Sequence, residues 1–108
     1  SIYAMTKAAV AHLTRVAAAE LGASNIRVNA IAPGFTDTPM VQRNWTNADG
    51  SVDQAARDAL LGARAAQSPL HTTATPEDQT WAMLYLASDA SRFVTGQVLR
   101  PNGGVVMA

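Results

Sequence analysis

Tyr3 and Lys7 stand four residues apart in the opening stretch SIYAMTK. Lys7 is the only lysine, and the other seven basic residues are arginines. On a helix, positions i and i+4 share a face, with Cβ atoms roughly 5–6 Å apart. An ammonium beside a phenol favours the phenolate and lowers a pKa that starts at about 10. A tyrosine tuned in this way can give a proton to a carbonyl oxygen or take one from an alcohol. The competing reading is a helix that merely carries both residues. A second group of candidates lies in PGFTDTPM, residues 33–40, where a proline–glycine bend and two threonine hydroxyls follow an apolar run.

Elements must hold these residues in place. The spacing of Val10, Leu13, Ala17 and Leu21 predicts a helix over 2–21. Its many alanines supply helix propensity with little bulk, so a second helix can approach closely. Gly22 is expected to stop the helix as a C′ glycine, with Ser24-Asn25 making the turn. IRVNAIA, residues 26–32, is short, β-branched and mostly apolar, as a strand covered on both faces of a parallel sheet would be. Pro33-Gly34 ends it at its carboxyl edge. Helix, tight turn and buried strand make half of a βαβ unit, an α/β pattern.

Residues 35–75 read as irregular and more polar, an excursion long enough to suggest a lid. Within it, Ser51-Val-Asp-Gln54 has capping-box spacing. Val52, Ala55, Ala56, Ala59, Leu60 and Ala63 then fit one helical face. Thr75-Pro-Glu-Asp78 reads as a helix start, with a threonine cap, proline at the first position and two acids at the positive end of the dipole. Trp81, Leu84, Tyr85 and Ser88 fall on one side of that helix. TGQVLR, residues 95–100, reads as the last strand, and Asn102-Gly103-Gly104 as a tight turn.

Composition narrows the classes. With 108 residues, 48% hydrophobic and 15% charged, the chain suits one modest globular domain and not a disordered one. A formal net charge of zero gives no electrostatic footprint for nucleic acid or a membrane surface. The absence of cysteine excludes disulfides and thiolate metal sites, and His12 and His71 lack ligand spacing, so no metal site is expected. No apolar run approaches the ~20 residues of a membrane span. The expectation is a cytoplasmic chain.

Five segments then resemble, in order, the short-chain dehydrogenase/reductase superfamily. They are Tyr3-Ala-Met-Thr-Lys7 with Ala8-Ala9-Val10, Asn25-Ile-Arg-Val-Asn29, Pro33-Gly-Phe-Thr-Asp-Thr38-Pro-Met40, Thr75-Pro-Glu-Asp78 leading to Tyr85-Leu-Ala-Ser-Asp89, and Thr95-Gly-Gln97 leading to Gly103-Gly104. Within that superfamily the sequence is similar to bacterial 3-oxoacyl-carrier-protein reductases and related alcohol dehydrogenases. The resemblance implies the C-terminal portion of a Rossmann-like, doubly wound parallel sheet. It implies NAD or NADP as cofactor and a small carbonyl or secondary alcohol as substrate. Tyr3 would be the acid/base. Lys7 would lower the Tyr3 pKa and hold the ribose hydroxyls. Pro33, Gly34 and the backbone near Thr36 would border the nicotinamide, and the Thr38 hydroxyl would meet its carboxamide or the pyrophosphate. Asn29 and Arg27 are expected to hold backbone. The lid would close over substrate, and the alanine-rich helix suits a homo-oligomer, a dimer or tetramer.

The superfamily's catalytic serine, glycine-rich phosphate loop and first strands precede the tyrosine and do not occur in this sequence. Asn102 stands where aspartate is frequent, which keeps the turn chemistry. The chain is therefore expected to be a single partial domain, roughly the C-terminal half, marginal and inactive alone because the pyrophosphate has no cradle. Two rivals remain. One is a nucleotide-sugar epimerase or dehydratase, which shares the Tyr-x-x-x-Lys pair. The other is a non-catalytic α/β module for assembly or binding.

Overall fold

The computed structural model describes residues 1–107. Its elements run α1 (Ile2–Leu21), β1 (Ala30–Ile31), α2 (Pro39–Gln42), α3 (Gln54–Gln67), α4 (Pro76–Ala87) and β2 (Val98–Leu99). They fall into two compact units. One holds Ser1–Ala32 and Trp81–Leu99; the other holds Pro33–Thr80 and the residues from Arg100 onward. No helix among the described residues is long and apolar enough to cross a membrane.

In the first unit, α1 spans the residues its periodicity predicts. The face it buries is different. Thr14 and Ala18 are buried, and Ala11 and Ala17 are half-buried, whereas Val10, Leu13 and Leu21 are exposed. The small residues form the inner seam because it admits close approach: a Cβ built on Gly96 would lie 3.5 Å from the Ala18 Cβ. The buried Thr14 hydroxyl is satisfied by donating to the Val10 carbonyl at 2.9 Å. Gly22 does not take the left-handed position. It stays right-handed (φ −58°) and leads into a 3₁₀ turn over Gly22–Ser24, and Asn25 makes the left-handed stop at φ 62°. Asparagine tolerates that conformation better than other residues with a Cβ.

β1 and β2 pair in parallel, Ala30 with Val98 and Ile31 with Leu99. Both strands are shorter than the apolar runs that contain them. Pairing still extends past their ends, through Gly96 N–H to the Val28 carbonyl (2.8 Å) and Ala32 N–H to the Leu99 carbonyl (2.8 Å). The residues of β1 are half-buried, not covered on both faces. Side chains clamp the sheet. Arg27 donates to the carbonyls of Leu86 (2.9 Å), Val94 (3.2 Å) and Ser88 (3.3 Å). Asn29 donates to the Val94 carbonyl at 2.8 Å and accepts from Gln97 N–H at 3.1 Å. Ser91, fully buried, donates to the carbonyls of Leu86 and Ser88. The structural role expected of Arg27 and Asn29 is the one observed.

In the second unit, the excursion after Pro33 is less irregular than its composition suggests, for it carries α2 and α3. Ser51 is not the cap of α3. Asp53 is, its carboxylate accepting from Ala56 N–H at 2.9 Å. Ser51 instead closes a turn onto the Asp49 carboxylate, which is held below the usual aspartate value by the Ser51 hydroxyl and N–H. The half-buried residues of α3 include Ala56, Leu60, Leu61 and Ala65, so Ala55, Ala59 and Ala63 lie outside the buried face. Trp45 is the buried anchor, and its carbonyl accepts from Asp53 N–H at 2.8 Å.

The start of α4 matches expectation. The Thr75 N–H and hydroxyl both donate to the Asp78 carboxylate, at 2.7 and 2.8 Å, and Pro76 opens the helix. Those bonds hold the Asp78 carboxyl below its ordinary value of 3.8, the Thr75 N–H contributing most. A depressed folded value means the cap stabilises fully above pH 3.8 and is lost as the pH falls through the folded value. Further along, Trp81, Leu84 and Tyr85 are exposed, whereas Gln79, Ala82 and Leu86 are the covered row.

Two measurements check this packing in the protein that carries the sequence. A Cβ at Gly34 would lie 2.6 Å from the Asn102 Cα, backbone that cannot swing aside, so Gly34→Ala is expected to cost about 1–3 kcal/mol in urea denaturation. Gly62, inside α3 with open space around it, is the control: Gly62→Ala is expected to stabilise by roughly 0.5–1 kcal/mol. Separately, Asp78→Asn is expected to be less stable than the parent at neutral pH. The gap should close as the pH falls below 3.8, followed by circular dichroism.

Candidate functional site

The first turns of α1 present Tyr3 and Lys7 together. The Lys7 Nζ lies 5.7 Å from the centroid of the Tyr3 ring, and both side chains are exposed. The helical i, i+4 relation produces this approach without any tertiary help. Main-chain bonding holds the turn: Met5 N–H donates to the Ser1 carbonyl at 3.0 Å, and the Thr6 hydroxyl to the Tyr3 carbonyl at 2.9 Å. A cation over an exposed ring attracts by about 0.5–1 kcal/mol. Among the described residues the ion pairs all belong to Arg57, with Asp37 and Asp58. The Lys7 ammonium therefore has no carboxylate competing for it.

In the second unit, the Pro33–Thr38 segment has its own order. Gly34 N–H donates to the Pro101 carbonyl at 3.1 Å, and the Thr36 hydroxyl donates to the Gly34 carbonyl at 3.1 Å. Thr36 forms a parallel bridge with Ala74, made by Asp37 N–H to the Ala74 carbonyl and Ala74 N–H to the Phe35 carbonyl, each 3.0 Å. Such a bridge uses the groups of the flanking residues and turns the N–H and C=O of Thr36 itself to the opposite side. Thr38 sits at the N-cap of α2, yet its hydroxyl makes no capping bond. The two threonines thus differ: the Thr36 side chain is engaged within the protein, and the Thr38 hydroxyl is not used by the helix it precedes.

Sequence reasoning missed Gln79. It is buried, and its Nε2 donates to the Thr36 Oγ1 (3.3 Å) and the Pro101 carbonyl (3.2 Å). The Pro101 carbonyl fixes which end of the amide faces it. The Oε1 is left buried without a partner, a costly state that marks a specified position. The available signal was a polar residue in the Gln79, Ala82, Leu86 row of α4. Also missed was a pocket of about 490 Å³ whose wall includes Phe35, Arg64, Leu70, Asp78, Arg100 and Val105. Met40 and His71 are both exposed and are not part of that wall.

Comparison with known proteins gives the family. A family model described as enoyl-(acyl carrier protein) reductase matches residues 1–106. The 3-oxoacyl-(acyl-carrier-protein) reductase of Thermotoga maritima is 41% identical over 105 residues, which are 97% of this chain and 38% of that protein. The cis-4-hydroxycyclohexanecarboxylate dehydrogenase of Sinomonas cyclohexanicum is 44% identical over 104 residues, 96% of this chain and 37% of that protein. Among solved structures, 4-hydroxyisoleucine dehydrogenase complexed with NADH superimposes with a TM-score of 0.79 at 33% identity, covering 96% of this chain and 39% of that one. A short-chain type dehydrogenase/reductase from Mycobacterium ulcerans gives 0.75 at 40% identity, covering 95% and 34%. The chain belongs to the short-chain dehydrogenase/reductase family and has that family's α/β, Rossmann-like fold. It spans less than two fifths of the length of the relatives described above.

The split between the threonines is measurable. Thr36→Val leaves the Gln79 amide short of an acceptor and is expected to cost about 1 kcal/mol or more. Thr38→Val is expected to stay within about 0.5 kcal/mol of the parent, since no capping bond is lost. Urea denaturation of both variants reads the difference.

Proposed function

We propose that these residues are the C-terminal part of an NAD(P)-dependent oxidoreductase acting on a small carbonyl compound or secondary alcohol. The observation that carries the reading is the exposed Tyr3–Lys7 pair, with the ammonium 5.7 Å from the ring centroid and in no ion pair among the described residues. Family membership supports it, as does a structural neighbour complexed with NADH. The bound nicotinamide would supply or accept the hydride. Tyr3 gives its hydroxyl proton to the carbonyl oxygen in reduction and takes one from the alcohol in oxidation. Lys7 stabilises the phenolate that appears during proton transfer and donates to the ribose hydroxyls.

The donor chemistry of the residues present fits such a cofactor. An ammonium without a carboxylate partner suits a diol, and a threonine hydroxyl with no capping bond suits a carboxamide or phosphate oxygen. Thr38 takes that second role. Pro33, Gly34 and the Thr36 backbone border the nicotinamide, and the Thr36 N–H and C=O, turned away from the Ala74 bridge, are the groups it meets. The Phe35–Thr75 excursion covers the substrate and excludes water. The exposed, alanine-rich α1 packs against a second copy, so the enzyme is a homo-oligomer of the cytoplasm.

Tyr3→Phe in the protein that carries this sequence tests the assignment. NAD(P)H-dependent turnover of carbonyl substrates is expected to fall by about 10²-fold or more, with the far-UV spectrum unchanged. Lys7→Arg keeps the charge and loses the compact donor, so its activity should drop as well. Turnover that survives Tyr3→Phe would remove the assigned acid/base.

A further inference from the structure

The geometry points to the pocket of the second unit, walled by Gly34 and parts of the Phe35–Thr75 excursion, as a binding site for an apolar monocarboxylate. Its volume, about 490 Å³, suits a small organic molecule. Phe35, Pro69, Leu70 and Val105 give it an apolar wall, and two arginines, Arg64 and Arg100, also line it.

Neither arginine is spent on an acid, because the ion pairs among the described residues are all those of Arg57. Arg64 is held by other means. Its guanidinium carbon lies 5.3 Å from the Phe35 ring centroid, and its one hydrogen bond there, to the Gln67 Oε1, is long at 3.4 Å. A guanidinium that lies over a ring and makes one long hydrogen bond keeps donors to offer, and its fork matches a carboxylate with two parallel bonds. The Arg100 side chain makes no hydrogen bond among the described residues.

Asp78 is the one acid in the wall, and its Oδ2 already accepts from the Thr75 N–H and hydroxyl. Two cations and one carboxylate leave a net charge of +1, which balances a monoanion and is too small for a phosphate dianion. The apolar wall then takes the hydrocarbon part of the ligand.

Octanoate, its neutral isostere octanamide and octyl phosphate distinguish the possibilities by titration calorimetry. Octanoate is expected to bind at least about tenfold more tightly than octanamide. Arg64→Gln and Arg100→Gln should each erase most of that preference and leave octanamide binding as it was. Octyl phosphate should bind no more tightly than octanoate. Equal affinity for octanoate and octanamide, no octanoate binding, tighter binding of octyl phosphate, or a preference that survives in both variants overturns the site. If a variant unfolds, the unaltered protein's preference between octanoate and octanamide decides alone. Tyr3→Phe should leave every one of these affinities unchanged, so loss of the site and loss of the hydride-transfer reading are separate results.

Discussion

The parallel pairing of β1 with β2 is the constraint on which the first unit depends. It joins residues near position 30 to residues near position 98, and no shorter-range interaction substitutes for it. Two paired residues per strand would be a weak closure on their own. The closure is reinforced by polar side chains bonding main chain: Arg27 and Asn29 on the β1 side and the Thr95 hydroxyl on the other. Each such bond contributes about 1 kcal/mol net, yet an unmet buried partner would cost more. Loss of the Arg27 fork would take one donor from three carbonyls together, each keeping its second bond, from Asn29 or Ser91, so these side chains act as one joint.

Polar joints carry this weight because the apolar interior is small. Among the described residues only Ala18 and Trp45 are buried hydrophobic side chains, one in each unit. Large apolar residues stand in solvent along α1 and α4, from Tyr3 at 74% exposure to Trp81 at 61%. Apolar surface of that extent marks a face that something else covers. The seam geometry of α1 says which face is already used. Small residues at Ala11, Thr14 and Ala18 are the covered ones, Ala18 beside Gly96, and the bulky row of Val10 and Leu13 is turned out.

That inversion explains where sequence reading succeeded and where it slipped. Helix existence follows from local propensity and caps, so α1 and the Thr75–Asp78 start of α4 were legible residue by residue. Which face a helix buries depends on what approaches it. Hydrophobicity favoured Val10 and Leu13, but close packing against Gly96 selected alanine. The stop of α1 moved from Gly22 to Asn25 because a 3₁₀ turn intervened, a choice that glycine content alone does not reveal. At α3 the capping-box spacing pointed to Ser51, two residues before the cap observed. Asp53 won because Ser51 was already bound to Asp49. Tyr3 with Lys7 was legible because an i, i+4 approach is local. Gln79 was not, since its partners, Thr36 and Pro101, lie 43 and 22 residues away.

The division of labour among cations follows from the same physics. Arginine serves where a planar fork can hold several acceptors or lie on a ring: Arg27 on three carbonyls, Arg57 on two carboxylates, Arg64 on Phe35. These are positions where orientation matters and the charge never changes. The single lysine stands beside a phenol, where the proposed chemistry would call for a compact ammonium. A guanidinium at position 7 would bring a wider planar fork to the Tyr3 ring, with its donors fixed in that plane. The ammonium, four bonds along a flexible stem, can approach the ring at 5.7 Å and still turn its donors to a second group. In a chain that uses arginine for its other seven cations, the proposed role at position 7 would make lysine there a chemical constraint and not a compositional habit.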